Sequence, residues 1–308
     1  MSKNLTLSVS PHIHSGRSTS RIMLDVIIAL LPAAVAGSVI FGLRARLVLA
    51  LTVASCVGFE ALYNLLVKKE QTVGDLSAAV TGLLLGMNLP ANIPLWQCVI
   101  GSLFAVIVVK ALFGGLGCNP VNPAITARVF MLVAFGSMTV AANPTIVDTV
   151  AGATPLASDK ATSLMDLFLG VHGGAIGETC AAALLVGLIY LLVRRVISWH
   201  IPVTFVGCVF LCSFFLEGMD AMAALAAILS GGLFIGAIFM ATAYVTSPTT
   251  AWGKVIFCVG AGLITVLIRY FGLYPEGVSF AILFMNILTP YIDSWTKRRV
   301  FGVGGNKA

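Results

Sequence analysis

Apolar residues in this chain neither alternate nor keep to one helical face. They run in long blocks cut by short polar or Gly/Pro-rich breaks. A block of about 20 residues is what an α-helix needs to cross the ~30 Å hydrocarbon layer. The blocks predict an all-α polytopic membrane protein with helices over 22–42, 45–66, 75–89, 95–113, 124–142, 176–197, 201–217, 221–244, 254–271 and 278–292. The third is short and ends at Asn88-Leu-Pro90, and the eighth is predicted to break near Thr246-Ser-Pro248. Broken helices at membrane depth persist only inside protein or along a cavity, because lipid offers their backbone no hydrogen-bond partner.

Composition supports the membrane reading. The chain is 59% apolar and 10% charged, against roughly 25% charged residues in soluble domains. Its 31 glycines read as close helix–helix contacts in lipid. Seven cysteines, Cys56, Cys98, Cys118, Cys180, Cys208, Cys212 and Cys258, include no CxxC pair. Most fall inside predicted helices and read as small apolar residues rather than zinc or iron–sulfur ligands. The first twenty residues are polar and the first apolar block is long enough to span, so no cleavable leader is predicted.

The net charge of +6 sits at block ends, which is orientation information rather than a nucleic-acid patch. With the amino terminus inside, only Arg44, Arg46, Lys160 and Arg269 of the 18 basic residues fall on the outer face. Both termini are therefore expected in the cytoplasm, with the chain in the inner (cytoplasmic) cell membrane. The expected divisions are a cytoplasmic arm (1–21), a first five-helix repeat (22–142), an extracytoplasmic loop (143–175), a second five-helix repeat (176–292) and a cytoplasmic tail (293–308). Leu83 to Pro90 precedes a block ending at Phe113-Gly-Gly115, and Leu233 to Gly236 precedes one ending at Phe271-Gly272. Five helices per copy invert the second, giving the 5+5 inverted repeat common in transporter folds.

Charges within the blocks are the candidate functional residues. Glu60 lies deep in the second block. Lys110 and Arg128 flank Asn119-Pro-Val-Asn122-Pro-Ala124 and are expected to snorkel to the inner surface. Asp25 stands one turn from Arg21, and Arg269 near Glu276. Asn-Pro-Ala is also a water-channel motif, but the corresponding second-half position reads Ser279-Phe-Ala281, so a cavity-lining turn is expected instead. Turns at 86–90, 114–123 and 242–248 are candidates to line an interior, with Asn88, Asn119, Asn122 and Thr242 as its polar groups. His12 and His14 have no Cys or carboxylate partners nearby, so no metal site is predicted. Asp148, Asp159, Asp166 and Glu178 give the outer loop an acidic, solvated or partner-facing character.

Within that loop lies Asp148-Thr-Val-Ala-Gly152-Ala153-Thr154-Pro155. Gly152 and Ala153 leave the backbone open to close approach, and Pro155 keeps Thr154 out of helix. An accessible Thr154 hydroxyl suits covalent attachment of a phosphate-bearing group. The same residues also read as a plain surface turn.

Three segments carry a resemblance across nearly the whole chain: Ser10-Pro-His-Ile, Asp148 through Leu156, and Phe271-Gly-Leu-Tyr-Pro-Glu-Gly-Val-Ser-Phe-Ala281 running on to Asn286 and Tyr291-Ile-Asp293. The chain resembles the D subunits of the Rnf ion-translocating electron-transport complex and, more distantly, the B subunits of the sodium-translocating NADH:quinone reductase. The resemblance implies FMN esterified through its phosphate to Thr154, with Asp148, Gly152, Ala153 and Pro155 as the attachment motif. It also implies a second flavin, riboflavin, held without a covalent bond. Ala151 stands where the family's attachment pattern has Ser or Thr, and Ala243 where the family has Asp. The implied function is electron transfer between ferredoxin and NAD coupled to Na+ or H+ movement, with other subunits of the complex and membrane lipid as partners and no nucleic acid. No nucleotide-binding fingerprint is present, so ferredoxin and NAD would react on other subunits. From the residues alone, a cofactor-free transporter or channel for a small polar solute, with a urea-transporter-like fold, fits the same broken helices.

Overall fold

The computed structural model describes residues 18–136, 163–170, 172–272 and 277–297 of the 308-residue chain. Every regular element among them is helical. The first half holds α1 (Thr19–Ile40), α2 (Gly42–Val67), α3 (Ser77–Met87), α4 (Leu95–Leu103, continued as a π-helix over Phe104–Ala111) and α5 (Pro123–Ala134). A short α6 (Leu164–Leu169) precedes α7 (Ala181–Val193), α8 (His200–Leu216) and α9 (Ala221–Leu229). Then come α10 (Leu233–Ile235, continued as a π-helix over Gly236–Met240), α11 (Ala251–Phe271) and α12 (Val278–Thr296).

Each predicted block contains a helix, but the lengths differ from ten full spans. Among the described residues, only α1, α2 and α11 are long and apolar enough to cross a membrane on their own, and α9 with α10 adds a fourth if that pair, bent by 66°, counts as one. Helices α3, α4, α5, α7 and α8 are apolar but shorter. The eighth block breaks at Ser230-Gly-Gly232, where Gly231 takes a positive φ of 71° that ends the helix, and the chain is irregular again over 241–250, around the predicted Thr246-Ser-Pro248. The sixth starts at Ala181 rather than 176, and the residues before it form a buried, irregular loop.

Helix starts follow local chemistry. Asn122 accepts from Ala124 N at 3.0 Å and Pro123 opens α5. Asp220 caps α9 and Thr250 caps α11 in the same way. Small residues then set how closely the helices approach. A Cβ at Gly82 of α3 would stand 2.7 Å from Val53 Cα and 2.8 Å from the Thr52 carbonyl oxygen of α2. That contact buries α3 almost completely, with Leu85 and Met87 fully inside. Arg44 fastens the following turn by donating to the carbonyls of Ala91 and Ile93. Large apolar side chains such as Val35, Val39, Leu65, Leu66, Val186, Ile189 and Leu267 face outward, an arrangement that suits lipid better than water.

Candidate functional site: a cavity and two buried ion pairs

A cavity of about 420 Å³ lies among α1, α3, the start of α5 and the stretch after α10, within the ~300–1,000 Å³ usual for ligand sites. Its walls are mostly apolar, including Met23, Val26, Val80, Leu84 and Phe239. Asn119, Asn122 and Thr242 line it, as does Ala243. Each of these polar side chains also holds local backbone. Asn119 Nδ2 donates to Val121 O at 3.0 Å, Asn122 Nδ2 to Met240 O at 3.2 Å, and Thr242 Oγ1 to Ile238 O at 2.6 Å. Thus the Asn-Pro turn of one half and the π-helical end of α10 in the other are tied together at the cavity edge. Asn88 does not join them. It sits beyond Met240, with its Nδ2 3.8 Å from Met240 Sδ, because the end of α3 points away from the cavity.

Lys110 borders this cavity and also a second one of about 390 Å³ that reaches Glu60, Asn64, Thr72 and Asp75. It does not snorkel. Its side chain is 4% exposed and its Nζ lies 2.8 Å from Glu60 Oε1, which is 7% exposed. The ammonium also donates to Ser77 Oγ at 2.5 Å. Thr72 Oγ1 donates to Glu60 Oε1, Asn64 donates to Thr72, and Ser77 Oγ donates to Asp75 Oδ1. The stem is too short and too enclosed to reach the surface, so the charge is neutralised where it stands.

Arg128 does not snorkel either. Its Nη1 donates to Asn88 Oδ1 at 2.7 Å, and its Nη2 lies 3.6 Å from Glu178 Oε2. The two charged side chains are 8% and 1% exposed. Glu178 is therefore not part of a solvated acidic surface. Its Oε1 accepts from Ala175 N at 2.8 Å within the irregular loop 172–180. Asp25, expected beside Arg21, is bound across the fold by Arg194 and by the Tyr190 hydroxyl at 2.9 Å. Arg269 donates to the carbonyls of Ala227 and Ser230 at the end of α9. Its expected neighbour Glu276 lies outside the described residues, as do His12, His14, Asp148, Ala151, Gly152, Ala153, Thr154, Pro155, Asp159 and Lys160.

Sequence reasoning flagged Glu60, Lys110 and Arg128 one by one. It missed Ser77, Thr72 and the pairing role of Glu178. The only signal for Glu178 was its place in a Gly-rich run next to an apolar block.

These features define a class: a polytopic helical membrane protein with a cofactor-sized internal cavity flanked by buried ion pairs. The profile of the NQR2, RnfD, RnfE family matches residues 6–302, and the chain belongs to that family. It is 48% identical to the D subunit of the Na(+)-translocating ferredoxin:NAD(+) oxidoreductase complex of Acetobacterium woodii, covering 97% of this chain and 96% of that one. It is 40% identical to the D subunit of the proton-translocating ferredoxin:NAD(+) oxidoreductase complex of Clostridium ljungdahlii, over 97% of each chain. It is 37% identical to the D subunit of the ion-translocating oxidoreductase complex of Escherichia coli, over 96% of this chain and 98% of that one.

Proposed function

We propose that this chain is the D-type membrane subunit of an ion-translocating ferredoxin:NAD oxidoreductase complex. The observation that carries this reading is the end-to-end match to subunits of that name, at up to 48% identity. The coupling ion is Na+ or H+, since the relatives' names divide between the two. The shorter helices count as spans in this reading. The chain crosses the cell membrane ten times as a 5+5 inverted repeat, with both termini cytoplasmic and the 143–175 loop outside. Supporting it, α2 lies against α3 and α4 as α8 lies against α9 and α11, and α1 meets α7 between the halves.

FMN is carried on Thr154 through its phosphate, within Asp148 to Pro155. A second flavin, riboflavin, occupies the 420 Å³ cavity. Its residues fit a flat tricyclic ring. Leu84, Val26 and Phe239 offer apolar faces, Asn119, Asn122 and Thr242 offer polar atoms at one edge, and the Lys110 ammonium borders it, paired with Glu60. A bound flavin supplies one- and two-electron chemistry. The chain's part is to hold it between the halves and keep the Lys110–Glu60 pair nearby, where a low dielectric makes any change in the pair's geometry felt.

The test is ultraviolet fluorescence of the denatured protein in a gel, with the mass of its tryptic fragments. A fluorescent band whose flavin maps to Thr154, lost in Thr154→Ala, is the expected result. A dark, unmodified Thr154 peptide from the assembled complex would refute the flavoprotein assignment. Non-covalent flavin released by acid, and lost in an Asn119→Leu variant that keeps the covalent one, checks the cavity.

A further inference from the structure

Beyond the cavity edge at Asn122 lies the buried Arg128–Glu178 pair, and it bears on ion movement; this inference rests on the proposed role in ion translocation. Helix α3 has 11 residues, about 16 Å of rise. Its first residue, Ser77, accepts from Lys110, and its C-cap, Asn88, accepts from Arg128. The two buried ion pairs therefore sit at opposite ends of one helix, separated by about half a hydrocarbon layer.

From the cavity edge, Met240 separates Asn122 from the second pair: Asn122 Nδ2 donates to Met240 O, and Asn88 Nδ2, bonded to Leu84 O at 2.7 Å, lies 3.8 Å from Met240 Sδ. Arg128 Nη1 then donates to Asn88 Oδ1, and Arg128 Nη2 faces Glu178 Oε2. The line stops in the loop 172–180. That loop is fastened to the end of α3 by Gly177 N donating to Met87 O at 2.7 Å and Ile176 N to Leu89 O at 3.1 Å. Gly232, in the break between α9 and α10, closes the last side. A Cβ there would lie 3.1 Å from Glu178 Oε2 and 3.2 Å from Arg128 Nη1, so the backbone of the break stands directly against the pair.

We propose that the Arg128–Glu178 pair seals a monovalent-cation path through this chain, and that Glu178 is the cation's transient partner at the seal. A cation coming from the cavity meets a fixed guanidinium in a medium that screens it poorly. It passes by taking Arg128's place at the Glu178 carboxylate, and Arg128 returns behind it. The exchange keeps the carboxylate neutralised throughout, while the displaced guanidinium keeps its bond to Asn88 Oδ1. The break at Ser230–Gly232 supplies the backbone freedom for that movement. A carboxylate can take either Na+ or a proton, and the measurement separates the two.

The test uses the whole complex in sealed vesicles, with uptake of radioactive sodium and internal pH followed in parallel. Wild type must first accumulate one of the two ions during electron transfer; if it accumulates neither, the translocation reading fails and takes this inference with it. Given wild-type uptake, Arg128→Gln is expected to raise the passive leak of that ion, without electron donor, by about ten-fold or more. Glu178→Gln, which keeps the shape and loses the charge, is expected to stay tight and to lower ions moved per electron by a similar factor. An Arg128→Gln complex as tight as wild type overturns the proposal. So does a Glu178→Gln complex with the wild-type ratio, and that arm decides alone if Arg128→Gln does not assemble.

Discussion

The two buried ion pairs differ in their company. Lys110 and Glu60 stand among hydroxyls and amides, Ser77, Thr72 and Asn64, and border two cavities. Arg128 and Glu178 stand against Asn88, Gly232 and the backbone of loop 172–180. The first pair borders both cavities and the second borders neither. The roles proposed above, ligand contact for the first and a seal for the second, follow that difference in surroundings, even though both pairs are nearly inaccessible.

Breaking the Arg128–Glu178 pair should have the largest effect. Arg128→Gln removes the guanidinium facing Glu178 and is expected to destabilise the protein by about 3–5 kcal/mol, seen as a lower thermal midpoint of the detergent-solubilised complex. Lys110→Met should cost less, about 1–3 kcal/mol, because Thr72 still donates to Glu60 and the pair borders two cavities. Equal losses for the two variants would erase the distinction.

The smallest effect is expected from pH. His172 belongs to the sealing loop, and its Nδ1 lies 3.0 Å from Gly173 O. Burial holds its pKa below the ordinary 6.5, only partly offset by its hydrogen bonds to the backbone of Gly173 and Thr179. The unfolded chain therefore binds this proton at a higher pH than the folded one does. Stability should be full above 6.5, fall as the pH drops from there towards the lowered value, and level off below it. Replacing His172 by Gln should flatten that acid-side decline in a thermal-midpoint series. An unchanged slope would show that the loop's response to acid comes from another group.

Much of the fold was legible along the chain. Block length is a local property, and each block from 22–42 to 278–292 holds a helix. The Asn122-Pro123 helix start was equally local, a side-chain cap followed by a residue without an N–H to satisfy. The break near Pro248 was legible and lies between Met240 and Ala251; the one at Ser230-Gly-Gly232 was missed, although Gly231 turns the backbone there. For the site, Asn119, Asn122 and Thr242 could be proposed from their interrupted surroundings, and they do meet at one cavity. Asn88 was grouped with them on the same logic and lies elsewhere, since a turn's composition does not say which way its side chains face. Snorkelling was the natural expectation for Lys110 and Arg128 near block ends, and it failed because acids from distant parts of the chain reach them first.

The amino-acid sequence alone determined the helical membrane character, the order of the helices and the family, because apolar run length, capping residues and contiguous motifs act within a few turns of chain. Only the tertiary structure decided which charges neutralise one another. Lys110 lies 50 residues from Glu60, and Arg128 lies 40 residues from Asn88 and again far from Glu178. A buried charge is settled by whatever opposite charge the fold brings within a few ångströms of it, and that distance is a property of helix packing, not of position along the chain.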